Sequence, residues 1–169
     1  MKLKIYRLIR FLIVCGLGVL SHFLYDLSGE NKFIGIFSSM NESTWEHLKL
    51  LFFPMLFVTI IELVIFRKKA EKLLPSRVMG ILTGLVFIVV TFYTFWGVSG
   101  SLIDFVNISI YVFAVFAAFL TEKIYRKNNI GPDLSVSVSI LIAITLLFII
   151  FSFNIPDIGI FYDLSQHPK

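Results

Sequence analysis

The chain has 169 residues, of which 57% are hydrophobic, 16% aromatic and only 15% charged, with a mean hydropathy of +0.89. That composition excludes a soluble globular domain, which has no core large enough to hide so much apolar surface. Cys15 is the single cysteine, so a disulfide within the chain and a structural zinc site built on several thiolates are both excluded; any metal here must use His and carboxylates.

In chain order, the first apolar segment runs from Phe11 to Leu27 behind Lys2, Lys4, Arg7 and Arg10. It imitates a secretory signal, but no small-x-small cleavage site follows, so it reads as a retained helix. The second runs from Leu50 to Phe66, interrupted only by Thr59 and Glu62. Three more follow: Val78 to Trp96, Leu102 to Leu120 and Leu134 to Phe153. Each suits the roughly 17 to 25 residues of a spanning helix. The predicted architecture is all-α: one integral membrane bundle of about five helices, over about 8–27, 47–66, 78–98, 102–121 and 134–153, with loops too short for a second domain.

Basic residues set the predicted orientation. With the amino terminus inside, Lys2, Lys4, Arg7, Arg10, Arg67, Lys68, Lys69, Lys72, Arg77, Lys123, Arg126 and Lys127 are cytoplasmic, and only Lys32, Lys49 and Lys169 lie outside. Five crossings put the carboxyl terminus outside. The net charge of +4 then reflects topology and needs no nucleic-acid partner.

That topology gathers the reactive groups on the outer side. His22 and Asp26 end the first span, Asn41 to Lys49 (N-E-S-T-W-E-H-L-K) heads the second, Asp104 opens the fourth, and Asp157, Asp163 and His167 belong to the tail. A polar cluster at the mouth of a membrane bundle marks a functional site by default. His22 and Asp26 are four apart, so the carboxylate can orient the imidazole. Glu42, Glu46 and Lys49 are expected on one helical stripe, with Ser43 and His47 on the next. A divalent metal held by His22, Glu46, His47 and Asp104 is geometrically conceivable, although no recognised ligand spacing marks it.

Structural roles compete with these. Ser39-Met40-Asn41-Glu42 and Ser43-Thr44-Trp45-Glu46 both fit a capping box, which assigns one glutamate to the helix start. Trp45 and Tyr25 suit an interfacial aromatic belt. Pro54 is expected to kink the second helix. Glu62 and Glu122 lie close in sequence to Arg67, Lys68, Lys123 and Arg126, and pairing there is the preferred reading; a Glu62 turned inward could instead extend a proton path past Asn107. The small-residue stripes Gly80–Gly84 and Ser135–Ser139–Ala143 are expected to pack inside the chain.

The segments Ser21 to Gly29, Asn41 to Lys49 with Pro54 following, and Asn154 to Asp163 (N-I-P-D-I-G-I-F-Y-D) together resemble a family of small bacterial multi-pass membrane proteins of unknown function. The resemblance covers nearly the whole chain and implies a bacterial cytoplasmic membrane, but no reaction. Alkaline ceramidase-type membrane hydrolases are a poorer likeness, since their paired histidines near the carboxyl end are missing.

The expected function is an enzyme acting on a lipid or lipid-linked substrate at the outer leaflet. Glu46 or Glu42 serves as general base, His47 and His22 as acid or metal ligands, and Asp26 as orienter of His22. Lys49 holds a phosphate, with Asn41, Asp104 and Asp163 as further binding residues. A small carrier or proton-coupled permease, relying on Glu62 and Asn107, is the first alternative, and an accessory subunit of a membrane complex the second. Oligomeric state is open.

Overall fold

The apolar runs become five long helices in the computed structural model, which describes residues 2–65, 67 and 69–163. Helix α1 is Lys2–Leu27, α2 the short Lys32–Gly35, α3 Thr44–Val64, α4 Ala70–Ser99, α5 Asp104–Asn128 and α6 Leu134–Phe153, followed by a 3-10 turn at Gly159–Phe161. Five of these, α2 and the 3-10 turn excepted, are long and apolar enough to cross a membrane. Among the described residues the only extended pairing is one antiparallel bridge between Ser43 and Asp163.

Helix α3 is the centre around which the others stand. Leu51, Phe52, Met55 and Val58 are buried against Val14 of α1, Val78 and Ile81 of α4, Ala114 and Val115 of α5, and Phe148 of α6. The outer faces of α1, α4, α5 and α6 instead expose Leu12, Val86, Val90, Phe113, Ile142 and Leu146, an apolar jacket matched to hydrocarbon. Lipid tails are as apolar as these side chains, so helix cohesion must come from close packing and buried polar bonds.

Small residues supply the close packing. A Cβ on Gly80 would lie 2.5 Å from the Ala118 carbonyl, and one on Gly84 3.3 Å from that of Ala114, so the Gly80–Gly84 stripe brings α4 onto α5 inside the chain. Ser135, Ser139 and Ala143 depart from expectation: all three are exposed. Helix α6 packs through another face, burying Ser137, Leu141, Phe148 and Ser152, because the aromatic Phe148 fits among Trp45, Phe52 and Phe53.

Helix α4 starts well before its apolar run. Leu73, Leu74, Ser76 and Arg77 are already buried, since its first turns face a polar network rather than lipid. Pro75 lies within that stretch, and Gly100, at φ +65°, closes the helix in the left-handed conformation.

Candidate functional site

Ser43 decides the geometry at the head of α3. It takes the N-cap position, extended at φ −73° and ψ 152°, and its hydroxyl accepts from Glu46 N at 3.3 Å. Glu42 therefore precedes the helix and does not share the stripe of Glu46 and Lys49. Its half-exposed carboxylate meets two imidazoles instead: Oε2 lies 3.3 Å from His47 Nε2, and Oε1 3.8 Å from His22 Nε2. The two rings are 5.3 Å apart, centre to centre. One ligand atom from each of His22, Glu42 and His47 lies within 4.8 Å of the others.

The protonation of His47 follows from its other nitrogen. Nδ1 is 2.8 Å from the Ser43 carbonyl oxygen, a contact that requires a proton on Nδ1. In the neutral ring, Nε2 then turns a bare lone pair toward a carboxylate oxygen. Two acceptors so placed need a cation between them, either a second proton on the imidazole or a metal ion. The hydrogen bond with His47 holds the Glu42 carboxyl below the usual carboxylate range, with partial burial opposing and the His47 and His22 charges assisting. His22 Nδ1 is buried without a hydrogen-bond partner. Asp26, one turn on, is exposed and leaves that nitrogen unmatched.

Two cavities flank the cluster. One of about 270 Å³ is walled by Leu50, Ile88, Phe92 and Ile110, with Glu42, Thr44, His47, Asp104, Asn107 and Tyr111 as its polar members. The other, about 470 Å³, adds His22 and Phe23 and shares Asp104, Asn107 and Tyr111. Asp104, the first residue of α5, thus faces the same space as both histidines. The Tyr111 hydroxyl donates to Val14 O at 2.9 Å and lies 3.3 Å from Leu50 O, fixing the floor where α1, α3 and α5 meet.

Glu46 faces elsewhere. It is buried, lies 2.5 Å from Lys49 Nζ and accepts from Met40 N at 2.8 Å. Lys49 is wholly buried, and its remaining N–H groups go to Gly35 O at 2.8 Å and Ser152 Oγ at 2.9 Å. With three donors and three acceptors, Lys49 has nothing left for a substrate phosphate. The pair pins the segment between α1 and α3 back over the bundle, where Phe37 packs on Phe53 at 5.1 Å. Asn41 is also structural, its Oδ1 accepting from Ser43 N at 2.9 Å. Asp163 is held beside Ser43 by the antiparallel bridge, while Phe161 stacks on Trp45 at 4.7 Å. The acidic tail segment is thereby seated on the motif. His167 lies outside the described residues.

The opposite end of the bundle holds a second polar assembly. Arg77 is fully buried; it pairs with Glu62 and approaches Glu122 Oε2 with Nε at 2.9 Å, without hydrogen-bond alignment. Arg10 reaches Glu122 at 2.7 Å and Glu62 at 3.5 Å. Arg126 closes on Glu122 at 2.6 Å, Tyr6 donates to Glu62, and Arg77 donates to Thr59 Oγ1 at 2.9 Å. Glu62 is thus paired, as expected, but with Arg77 and Arg10, and its carboxylate is enclosed by donors from α1 and α4 instead of lining a path with Asn107. Arg10 and Arg77 were legible only as topology markers in the sequence. The missed signal is that Arg10 lies between Ile9 and Phe11 and Arg77 directly precedes the apolar run from Val78, so that each must find a carboxylate if buried.

No curated protein and no solved structure matches the chain. Residues 1–167 match the model of DUF6512, a family of unknown function, and the chain belongs to that family.

Proposed function

We propose that this chain is a metal-dependent hydrolase of the bacterial cytoplasmic membrane, acting at the outer leaflet on a lipid or lipid-linked ester or phosphoester. The amino terminus lies inside, which the bias of basic residues supports: Arg7, Arg10, Arg67, Lys69, Lys72, Arg77, Lys123, Arg126 and Lys127 all belong to the end opposite His22. The observation that carries the reading is the convergence of His22, Glu42 and His47 on one point. Ligands about 2.0–2.1 Å from a tetrahedral zinc are about 3.3 Å from one another, which is the separation of Glu42 Oε2 and His47 Nε2; His22 Nε2, 3.8 Å from Glu42 Oε1, stands wider and has to close in when the ion binds. Three protein ligands with a fourth position open to a cavity is the catalytic pattern, whereas structural sites are closed.

A bound divalent ion would polarise the scissile group and lower the pKa of a water. The residues do the rest. Ser43 O fixes the His47 tautomer so that Nε2 faces inward. Asp104 lines both cavities and replaces Glu46 as the base that accepts the proton of the attacking water. Leu50, Ile88, Phe92 and Ile110 hold the hydrocarbon part of the substrate. Lys49, with its donors used internally, takes no part in binding.

Elemental analysis of the detergent-purified chain tests the reading. About one transition-metal ion per chain is expected, lost in His47→Ala and in Glu42→Gln, with gradient-independent hydrolysis of a lipid-linked ester or phosphoester lost in parallel. Metal-free wild-type protein prepared without chelator, or unchanged metal content in His47→Ala, refutes it; the cation between His47 and Glu42 is then a proton.

A further inference from the structure

The end of the bundle remote from His22 carries a cavity of about 350 Å³ between α1 and α5, with Arg7, Arg10, Lys123, Arg126 and Lys127 around it and Glu122 as its only acidic member. We propose that this cavity binds the phosphate of an anionic phospholipid headgroup. The assignment is independent of the metal site.

Charge supports it first. Including Arg77 behind the wall, six cationic side chains stand against two carboxylates, Glu62 and Glu122. Both carboxylates are already committed to arginines. Arg7, Lys123 and Lys127 are exposed and make no ion pair within the described residues, so the cavity has a cationic rim with no internal counter-charge. Shape comes next. The Arg10 guanidinium lies 4.8 Å from the centre of the Phe119 ring and is bonded to Glu122, which fixes a rigid cationic back wall. The volume equals that of roughly a dozen liquid waters at ~30 Å³ each, enough for a phosphate and a small polar substituent.

The surroundings favour a lipid over a free phosphate. Phe116 and Leu120, one turn away from Phe119 and Lys123 on α5, are 57% and 43% exposed. They extend the basic rim into an apolar track where acyl chains can lie. Basic pockets between membrane helices on the cytoplasmic side are a recurring way of holding anionic headgroups.

The test is native mass spectrometry of the full-length chain in detergent, titrated with short-chain phosphatidylglycerol or phosphatidylcholine. Phosphatidylglycerol is expected to bind at least tenfold more tightly. At about fivefold per cationic group, Arg7→Gln/Lys123→Gln/Lys127→Gln weakens it on the order of a hundredfold. These side chains are exposed, so the melting temperature stays near wild type. Lys123→Arg/Lys127→Arg keeps the affinity, and Lys69→Gln/Lys72→Gln, at the same end but outside the cavity, changes it little. Equal binding of the two lipids, wild-type affinity in the triple variant, or an equal loss in Lys69→Gln/Lys72→Gln overturns the proposal. Displacement of the lipid by millimolar inorganic phosphate overturns the lipid assignment in favour of a soluble phosphate.

Discussion

Replacing Glu46 by Gln separates the two glutamates of the motif. Glu46 is 3% exposed and Lys49 0%, and their contact is 2.5 Å. Removing one partner of a buried ion pair costs ~3–5 kcal/mol, because the remaining charge is desolvated without compensation. Gln keeps an oxygen for Met40 N, and Lys49 keeps Gly35 O and Ser152 Oγ, so the low end, ~3 kcal/mol, applies. For a chain of this length that lowers the melting temperature by roughly 6–12 °C. Metal content stays at the wild-type level, since Glu46 lies outside the cluster. Glu42→Gln behaves oppositely: its side chain is 53% exposed, so the melting temperature moves by roughly 1–3 °C in the metal-free chain, while metal is lost. Thermal unfolding in detergent, with elemental analysis of the same samples, reads both. A Glu46→Gln chain that melts like wild type but loses its metal refutes this division. The double variant Glu46→Gln/Lys49→Met keeps an oxygen for Met40 N and removes the stranded charge, so it should recover part of the loss, with Gly35 O, now without its donor, accounting for the rest.

Three further outcomes are expected. Gly18→Ala places a Cβ 1.9 Å from the Tyr111 hydroxyl and 2.6 Å from Leu50 O; it should destabilise the chain by ~2–3 kcal/mol, and Tyr111→Phe should rescue it only in part because the backbone contact remains, measurable by thermal melts of the single and double variants. Ser43→Ala removes the cap of α3 and should cost ~1 kcal/mol, while leaving the Ser43 carbonyl bond to His47 and hence metal binding largely intact; metal loss here would show that the hydroxyl, not the carbonyl, orders the site. In chelator-treated protein, the lowered Glu42 pKa makes a contribution to stability that is fully present above the unfolded carboxylate value near 4.5 and is lost as pH falls through the lower folded value. A pH series of melts should show this acid-side loss in wild type and a smaller one in Glu42→Gln.

The sequence by itself determined the five long apolar helices, since period and length suffice to mark a segment that can satisfy its backbone only internally. It also singled out the Asn41 to Lys49 motif, because so many polar side chains beside an apolar run are costly without a purpose. Partner choice was beyond it. Glu42 and Glu46 look equivalent in a helical projection, and only the Ser43 cap puts one outside the helix beside His22 and the other inside it beside Lys49. Lys49 reads as a phosphate ligand until Gly35 and Ser152, the latter 103 residues away, consume its protons. Arg10 and Glu122 are 112 residues apart, and short-range spacing gives Glu122 nearer partners in Lys123 and Arg126 and gives Arg10 none. Hydrophobic pattern is local and survives in the linear order. The pairing of buried charges belongs to the tertiary structure, because in a low-dielectric interior each charge takes whichever partner the helix packing brings within reach.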